Sequence, residues 1–335
     1  MREADATLID LTEAVYDIDQ EDAAWIPNLL RVGLPILDHG LGVGAAAYTR
    51  DPERPDLIVH QKFAVSGRPD LIARVNEAVA EWPRDVYREL MRPGVVSTLS
   101  EAARNHPECL EAYERHVPGV RDVFGMTSVD PNGLGILIVA PLPERTQLRG
   151  RDKELWQMMG AHVAAGHRLR RAVTAEVEST GLPHDAEAVI DPKRFDIVEA
   201  TAGAEPREAA SVLREAAIQV DRARASEGRK DPAFALEVWK GLTEGRWSLV
   251  DWFDSDSRRF VLALPNTPEV GDPRGLTTRE NLVATYAMHG DSQKLIGYRL
   301  GLSKASVSRH LKSAMRKLNV KTHAQLIEKM GVFSG

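Results

Sequence analysis

Residues 296–318, IGYRLGLSKASVSRHLKSAMRKL, place the tightest constraint on what this chain can fold into. Gly297 stands inside a helical apolar pattern, where glycine costs about 1 kcal/mol relative to alanine. Gly301 follows four residues later, where glycine suits a turn that needs a positive φ. This spacing predicts two short helices that meet closely at a turn of three or four residues.

The residues after the turn predict one buried face and one open face. Val307, Leu311, Ala314 and Leu318 form a helical apolar stripe, and Ser303 is in position to cap the helix. Hydroxyl groups and cations hold phosphates, and Arg and Lys also bond guanine edges. The pattern therefore favours a recognition helix for the DNA major groove over an ordinary solvated basic helix. The candidate DNA-binding residues are Ser303, Lys304, Ser306, Ser308, Arg309, Lys312 and Arg316.

Further helices are predicted on both sides of this pair. Thr277 with Glu280, and Thr322 with Gln325, have the spacing of capping boxes. The last helix is too short to stand alone, so it either packs on the recognition helix or pairs with its copy in a dimer. The sequence thus predicts an all-α domain of four helices over residues 272–335.

The charge of the chain is segregated. Residues 271–335 contain 11 Lys and Arg against 4 Asp and Glu, whereas residues 1–270 carry a net charge of −13. A basic segment on an acidic body indicates an anionic partner, of which nucleic acid is the usual one. We also hypothesise that the acidic front holds the basic domain inactive until a signal shifts the equilibrium.

The C-terminal segment resembles the LuxR-type, or GerE-like, DNA-binding domain. The matching stretches are LTTRE (276–280), HGDSQKLIGYRLGLSKASVSRHLKSAMRKLNV (289–320) and THAQLIEKM (322–330). The resemblance implies a transcription regulator that binds duplex DNA as a dimer, often through the last helix. Family members frequently have Thr-Val-Lys-x-His where this chain has residues 306–310, SVSRH. Ser308 replaces the usual lysine, so Arg309 or Lys312 is expected to make its contact, and His310 is expected to pack or to bond phosphate.

The front of the chain predicts an α+β architecture of antiparallel hairpins and helices. Breaks at residues 178–185 and 265–275 divide the chain into domains 1–178, 184–266 and 272–335. By pattern, the first domain resembles a GAF-type sensor and the second a PAS-type sensor, which implies detection of a small molecule or a partner protein. The aromatic residues of the second domain are expected to pack in its core rather than to form a ligand cage; they are Trp239, Trp247, Trp252, Phe253 and Phe260.

The element predictions for these two domains are specific. In the first, helices are predicted over 11–37, 69–82 and 99–117 and from 151 onward, strands near 42–48 and 56–65, and a hairpin turning at 130–133. In the second, hairpins turn near 191–192 and 254–257, and helices cover 206–225 and 232–244.

The helix from residue 151 carries a near-heptad stripe that allows two interpretations. The stripe consists of Leu155, Met159, His162, Gly166, Leu169, Val173 and Val177. One interpretation is a dimer-forming signalling helix. The other, equally favoured, is packing against the sheet of its own domain.

Other classes of protein are disfavoured. The longest apolar run, residues 134–143, is too short to span a bilayer, and the acidic opening residues do not read as a signal peptide. Cys109 is the only cysteine, and no Walker A, G-x-S-x-G or H-E-x-x-H motif is present. We expect a cytoplasmic, non-enzymatic protein without metal or cofactor, whose partners are duplex DNA, a second copy and RNA polymerase. The alternative is an adaptor whose helix-turn-helix contacts the transcription machinery rather than DNA.

Overall fold

The computed structural model describes residues 2–50, 58–91, 95–131, 133–174, 181–239, 243, 246–268 and 276–331. In these ranges the chain forms two antiparallel sheets with helices around them, followed by a group of four helices. This is the predicted α+β class with an all-helical C-terminal part. None of the helices described is both long enough and apolar enough to cross a membrane.

The first sheet and its helices occupy the first half of the chain. The strands are β1 (Val43–Arg50), β2 (Ile58–Ser66), β3 (Val96–Thr98), β4 (Asp122–Val129) and β5 (Leu134–Leu142). The helices are α1 (Arg2–Val15), α2 (Asp22–Leu37), α3 (Leu71–Ala80), α4 (Arg84–Leu90), α5 (Leu99–Ala102), α6 (Pro107–His116) and α7 (Gly150–Thr174).

The second sheet and the C-terminal helices follow. A 3₁₀ helix at Pro183–Asp185 precedes strands β6 (Ala188–Asp191), β7 (Asp196–Ala200), β8 (Trp247–Phe253) and β9 (Arg259–Pro265). Helices α8 (Arg207–Arg224), α9 (Ser226–Lys230) and α10 (Pro232–Val238) lie between the two hairpins. The last four helices are α11 (Thr278–Met288), α12 (Gln293–Leu300), α13 (Lys304–Lys317) and α14 (His323–Gly331).

The first sheet, in the order β2-β1-β5-β4-β3, is covered on both faces. Successive side chains of a strand point to opposite faces. Phe124 and Met126 of β4 belong to the main core with α1, α2 and α7, whereas Val123 belongs to a second apolar cluster with α3 and α6. Because both faces are covered, β4 is buried along almost its whole length.

The second sheet, in the order β7-β6-β9-β8, shares the main core with the first. Trp239 is 1% exposed and stacks on Tyr16, with ring centroids 6.2 Å apart. Trp252 packs near Phe260, with centroids 5.9 Å apart. The aromatic residues therefore pack as predicted, except that Phe253 is 55% exposed because it lies at the far end of β8.

Several predicted helices are shorter than the sequence pattern indicated. The single helix predicted over 11–37 is instead two helices, α1 and α2. Residues 16–21, YDIDQE, separate them. Folding back lets both helices bury their apolar faces, and Trp25 Nε1 donates to the Val15 carbonyl at 3.3 Å. The helix predicted over 99–117 divides into α5 and α6, because Pro107 begins a new helix.

One other predicted helix ends earlier than expected, three elements were not predicted, and parts of the predicted breaks and of one predicted turn lie outside the described residues. The helix predicted over 232–244 ends at Val238, and α4, α9 and β3 were not predicted. The three predicted hairpins form with antiparallel register, and the two predicted strands β1 and β2 also pair antiparallel. Residues 178–180 and 269–275 of the predicted breaks, and Asn132 of the first turn, lie outside the described residues.

Helix α7 packs inside its own chain. Met159 and His162 are fully buried and Leu169 is 1% exposed. A Cβ at Gly166 would lie 2.8 Å from the carbonyl oxygen of Val15, so the missing side chain lets α1 approach. The described part of the stripe thus follows the second interpretation, packing within the molecule, while Val177 lies outside the described residues.

Candidate nucleic-acid interface

The first C-terminal helix is fixed at its start by the predicted capping box. The Thr277 hydroxyl accepts the Glu280 N–H at 3.3 Å, and the Glu280 carboxylate accepts the Thr277 N–H at 2.8 Å. The same carboxylate accepts a hydrogen bond from Lys317 Nζ at 2.6 Å. The Lys317 bond, followed by the Thr277 bond, lowers the pKa of Glu280 to about 2. This carboxylate therefore ties the start of α11 to the end of α13.

The turn between α12 and α13 explains both glycines. Gly301 has φ 63°, in the left-handed region. The Leu302 N–H donates to the Gly297 carbonyl at 2.8 Å, which closes α12 with a Schellman-type cap. A Cβ on Gly297 would lie 2.6 Å from the Leu302 carbonyl oxygen. Position 297 thus requires glycine because the backbone of the turn lies too close for a Cβ. Position 301 favours glycine because its backbone is left-handed.

Helix α13 has the two predicted faces. Val307 and Ala314 are fully buried and Leu318 is 5% exposed, in one cluster with α11, α12 and α14. At its start, the Ser303 hydroxyl accepts the Ser306 N–H at 3.1 Å and is 3.0 Å from the Ser306 hydroxyl. The recognition helix is therefore anchored by its inner face and by its N-cap.

The structure places the predicted DNA-binding residues on the outer face and flanks of α13. Ser306 and Ser308 are half-buried, and the exposed members are Ser303, Lys304, Arg309, Lys312 and Arg316. In the described part of the chain, none of these four cations takes part in an ion pair, although Arg309 lies 3.5 Å from the Ser306 hydroxyl. The arrangement leaves four positive charges free to meet an anion.

His310 lies on the flank of this surface. It is half-buried, and burial lowers its pKa, with Arg309 and Arg279 adding to the effect. An imidazole held neutral in this way packs or accepts and donates hydrogen bonds. Among the residues described, no group of His, Cys, Asp and Glu side chains is arranged to hold a metal ion.

A contact that the sequence did not indicate joins α12 to the front of the chain. The Tyr298 hydroxyl is bonded to His162 Nε2 of α7 and lies 2.5 Å from the Leu236 carbonyl and 3.2 Å from the Trp239 carbonyl. His162 Nδ1 is in turn 3.0 Å from the Tyr16 hydroxyl. One buried histidine thus connects the helix-turn-helix to the end of α1, to α7 and to α10.

The protons of this cluster can be assigned from its partners. Burial disfavours the charged imidazole and lowers the pKa of His162 to about 3. The carbonyls of Leu236 and Trp239 only accept, so Tyr298 donates its proton to them. His162 Nε2–H then donates to the Tyr298 oxygen, and Nδ1 accepts from Tyr16. With the protons placed in this way, both tyrosine hydroxyls and both imidazole nitrogens of the cluster have a hydrogen-bond partner.

A second link lies around Arg168 of α7. Its guanidinium pairs with the buried Asp130 carboxylate at the end of the β4–β5 hairpin and donates to Asn266 Oδ1 at 2.8 Å. Burial raises the pKa of Tyr286 in α11, and the charges of Asp130 and Arg168 act on the same hydroxyl. At the surface, Lys294 of α12 pairs with Glu154 at 2.8 Å. Both sheets and the C-terminal helices therefore meet at α7.

The buried histidine predicts an acid-sensitive stability. The unfolded chain binds one more proton than the folded chain between pH 6.5 and about pH 3. Stability should therefore fall on acidification through this range, by up to about 1.4 kcal/mol per pH unit. We expect the native chain to lose about 1.6 kcal/mol more than His162→Gln between pH 6.5 and 5, as measured by urea unfolding at both pH values. Glutamine can donate and accept without titrating, and equal losses in both proteins would contradict this assignment.

Comparison with known proteins agrees with the geometry of the C-terminal helices. Residues 274–330 match the family described as bacterial regulatory proteins, luxR family. No curated protein sequence matches the chain. Among solved structures, the chain is similar to Escherichia coli SdiA at a TM-score of 0.30 and 10% identity, over 94% of this chain and 92% of SdiA. That likeness is too weak to carry an argument about the front of the chain.

The matched region begins just before α11 and ends within α14, so it contains the capping box, the glycine turn and the candidate surface. The matching family is one of regulatory proteins, in agreement with the prediction that the chain is not an enzyme. By this match and by their geometry, residues 274–330 form a helix-turn-helix domain of the luxR family of bacterial regulatory proteins.

Proposed function

We propose that this chain is a sequence-specific transcription regulator whose DNA contacts are made by the outer face of α13. The observation that carries the proposal is the set of exposed cations on that face, Lys304, Arg309, Lys312 and Arg316, which no described carboxylate neutralises. Ser303 and Ser306 lie at the N-terminal end, the end from which recognition helices contact bases. The Ser303 hydroxyl also caps the helix by accepting the Ser306 N–H, so Ser303 serves both the fold and phosphate binding.

The proposal extends to the assembly and to the front domains. Residues 1–178 act as a GAF-like sensor, residues 184–266 as a PAS-like sensor and residues 272–335 as the DNA-binding domain. The protein acts in the cytoplasm as a homodimer that contacts RNA polymerase. Ile327 of α14 supports pairing through the last helix, because it is 43% exposed and one of three large hydrophobic side chains that the described residues expose.

Selection from a random pool of duplexes tests this function. We expect enrichment of a site with two half-sites about 10 base pairs apart, as two recognition helices in successive major grooves require. Affinity for that site should fall steeply with salt, since bound cations displace counterions. Failure to enrich any sequence, combined with retention of a polymerase subunit, would favour the adaptor alternative.

We further propose that the structure represents an arrangement in which the front hinders DNA binding. Gly301, in the turn between α12 and α13, lies across a cleft from Ser211, Glu215 and Gln219 of α8. Glu215 is exposed, and its carboxylate repels phosphate that approaches the start of α13. The Tyr298 cluster supports the same view, because it fixes α12 to the front.

Tyr298→Phe is expected to raise affinity for the selected duplex about fivefold or more, which corresponds to a coupling of at least about 1 kcal/mol. Among the described residues, Tyr298 supplies the one hydroxyl bonded to both His162 Nε2 and the Leu236 carbonyl, and the variant removes it. Both groups then lose this described partner unless α12 separates from the front and water enters. Fluorescence anisotropy of a labelled duplex measures the change.

Tyr16→Phe is the matched control. It also removes a hydroxyl bonded to His162, but both partners lie in the front of the chain. Its affinity for DNA should stay near that of the native protein. An unchanged or weaker affinity in Tyr298→Phe, with normal folding by circular dichroism, would contradict a hindered arrangement.

A further inference from the structure

A cavity of about 130 Å³ lies between the first sheet and helices α3 to α6. Its floor contains small residues, among them Gly44, Ala46 and Gly125, where larger side chains would fill the space. Protein interiors are close-packed, with few voids larger than a water molecule. A cavity of this size in the core of a domain is therefore a feature that needs an occupant.

Among the lining residues that the structure describes, none has a charged side chain. Its polar groups are largely satisfied by the protein. Thr127 Oγ1 donates to the Val95 carbonyl at 3.2 Å and accepts the Val95 N–H at 3.0 Å, and Trp82 Nε1 donates to the Cys109 carbonyl at 3.1 Å. A charged ligand would lose its hydration here without finding a partner. The cavity thus selects against ions and strongly polar compounds.

Aromatic side chains form one wall. Trp82 packs near Tyr113 and Tyr87, with ring centroids 5.7 and 6.5 Å apart. Ring pairs with centroids about 4.5–7 Å apart are favourable beyond the area they bury. An apolar cavity of about 150 Å³ accommodates benzene, which sets the scale of the occupant. We propose that this cavity binds a neutral, apolar aromatic compound of one ring or two fused rings, between benzene and indole in size.

This inference rests on the proposed function, because the compound bound in the cavity would be the signal that the first sensor domain detects. The route from the cavity to the DNA-binding domain passes through β4. Gly125 and Thr127 face the cavity, whereas Phe124, on the opposite face, packs against Trp156 of α7 with centroids 4.9 Å apart. Helix α7 carries His162, the partner of Tyr298. A ligand that displaces β4 therefore acts on the helix that holds α12.

Thermal unfolding of the full chain with indole, benzene and benzoate tests the site. At concentrations tenfold above Kd, indole or benzene should raise Tm by about 2–4 °C. Benzoate, a ring of the same size with a negative charge, should give no rise. The absence of a rise with both neutral compounds, or an equal rise with benzoate, would overturn the proposal.

Two substitutions at one position separate this cavity from other binding sites. A Cβ at Gly125 would be 3.9 Å from its nearest neighbour, the Ser97 carbonyl oxygen, so Gly125→Ala is tolerated and leaves most of the space. Gly125→Leu fills the cavity. We expect Gly125→Ala to keep the indole shift and Gly125→Leu to lose it. An equal shift in both folded variants would place indole elsewhere and overturn the assignment.

The same ligand is then added to the DNA-binding assay. A change in affinity for the selected duplex, absent in Gly125→Leu, is the expected result. Binding of indole without any change in DNA affinity would uphold the site and overturn its role as the signal input. Failure of the duplex selection would overturn the proposed function while leaving the Tm result intact.

Discussion

Alanine at Lys304, Arg309 and Lys312 together is expected to weaken binding to the selected duplex by about 100-fold or more and to lower the salt slope by about 3. The three side chains are exposed and none is in an ion pair in the described part of the chain. Their removal should therefore leave the fold of α13 intact while removing three positive charges from its outer face. Titration of a labelled duplex at several salt concentrations gives both quantities.

A triple variant elsewhere controls for the change in net charge. Arg149, Lys193 and Arg194 are exposed cations in the front of the chain, and their replacement by alanine removes the same charge. This control should keep the native salt slope. If the α13 variant keeps native affinity and slope, the surface assigned here is wrong, and the adaptor alternative becomes the better account.

Gly297→Ala is expected to destabilise the C-terminal domain by about 2 kcal/mol. Alanine gains up to about 1 kcal/mol over glycine in a helix. Against this, the new Cβ would lie 2.6 Å from the Leu302 carbonyl oxygen. That atom belongs to the backbone of the turn and cannot rotate away, so the cost lies near the upper end of the usual 1–3 kcal/mol or so for overpacking. Amide exchange in α12 and α13 should become about 30-fold faster, and DNA binding should weaken with it.

Gly33→Ala in α2 is the matched control, a glycine in a helix with a close neighbour of another kind. Its Cβ would meet Leu37 Cδ1 at 2.9 Å, the far end of a flexible side chain that can change rotamer. We expect little change in stability there. Slower or unchanged exchange in Gly297→Ala would show that close approach does not explain this glycine.

The C-terminal helices could be predicted in detail because their signals are local. Capping boxes, a left-handed glycine and a helical apolar stripe each act over a few residues, and the structure forms all of them. The second capping box is an example: the Thr322 hydroxyl accepts the Gln325 N–H at 3.2 Å, and Gln325 Oε1 accepts the Thr322 N–H at 3.2 Å. That the α13 residues contact DNA stays a prediction, because only a binding experiment with DNA tests it.

The front of the chain was predicted less completely because its order depends on distant contacts. Hairpins were found through their turns, but the break between α1 and α2 is set by packing against α7, and the short β3 exists through its pairing with β4. The Tyr298–His162 bond joins residues 136 positions apart. In the sequence, His162 is one position of a helical apolar stripe. No residue near it in the sequence indicates that Tyr298 is its partner.

Trp239 gives the contact between the two parts of the molecule an optical reporter. All six tryptophans lie between residues 25 and 252, so α11 to α14 contain none. The Trp239 carbonyl accepts from the Tyr298 hydroxyl, and its ring lies against Tyr16 and 4.7 Å from the Arg224 guanidinium carbon. Release of α12 would change the surroundings of this indole. In a chain whose other five tryptophans are phenylalanine, the emission of Trp239 would follow domain separation in real time, without an attached dye.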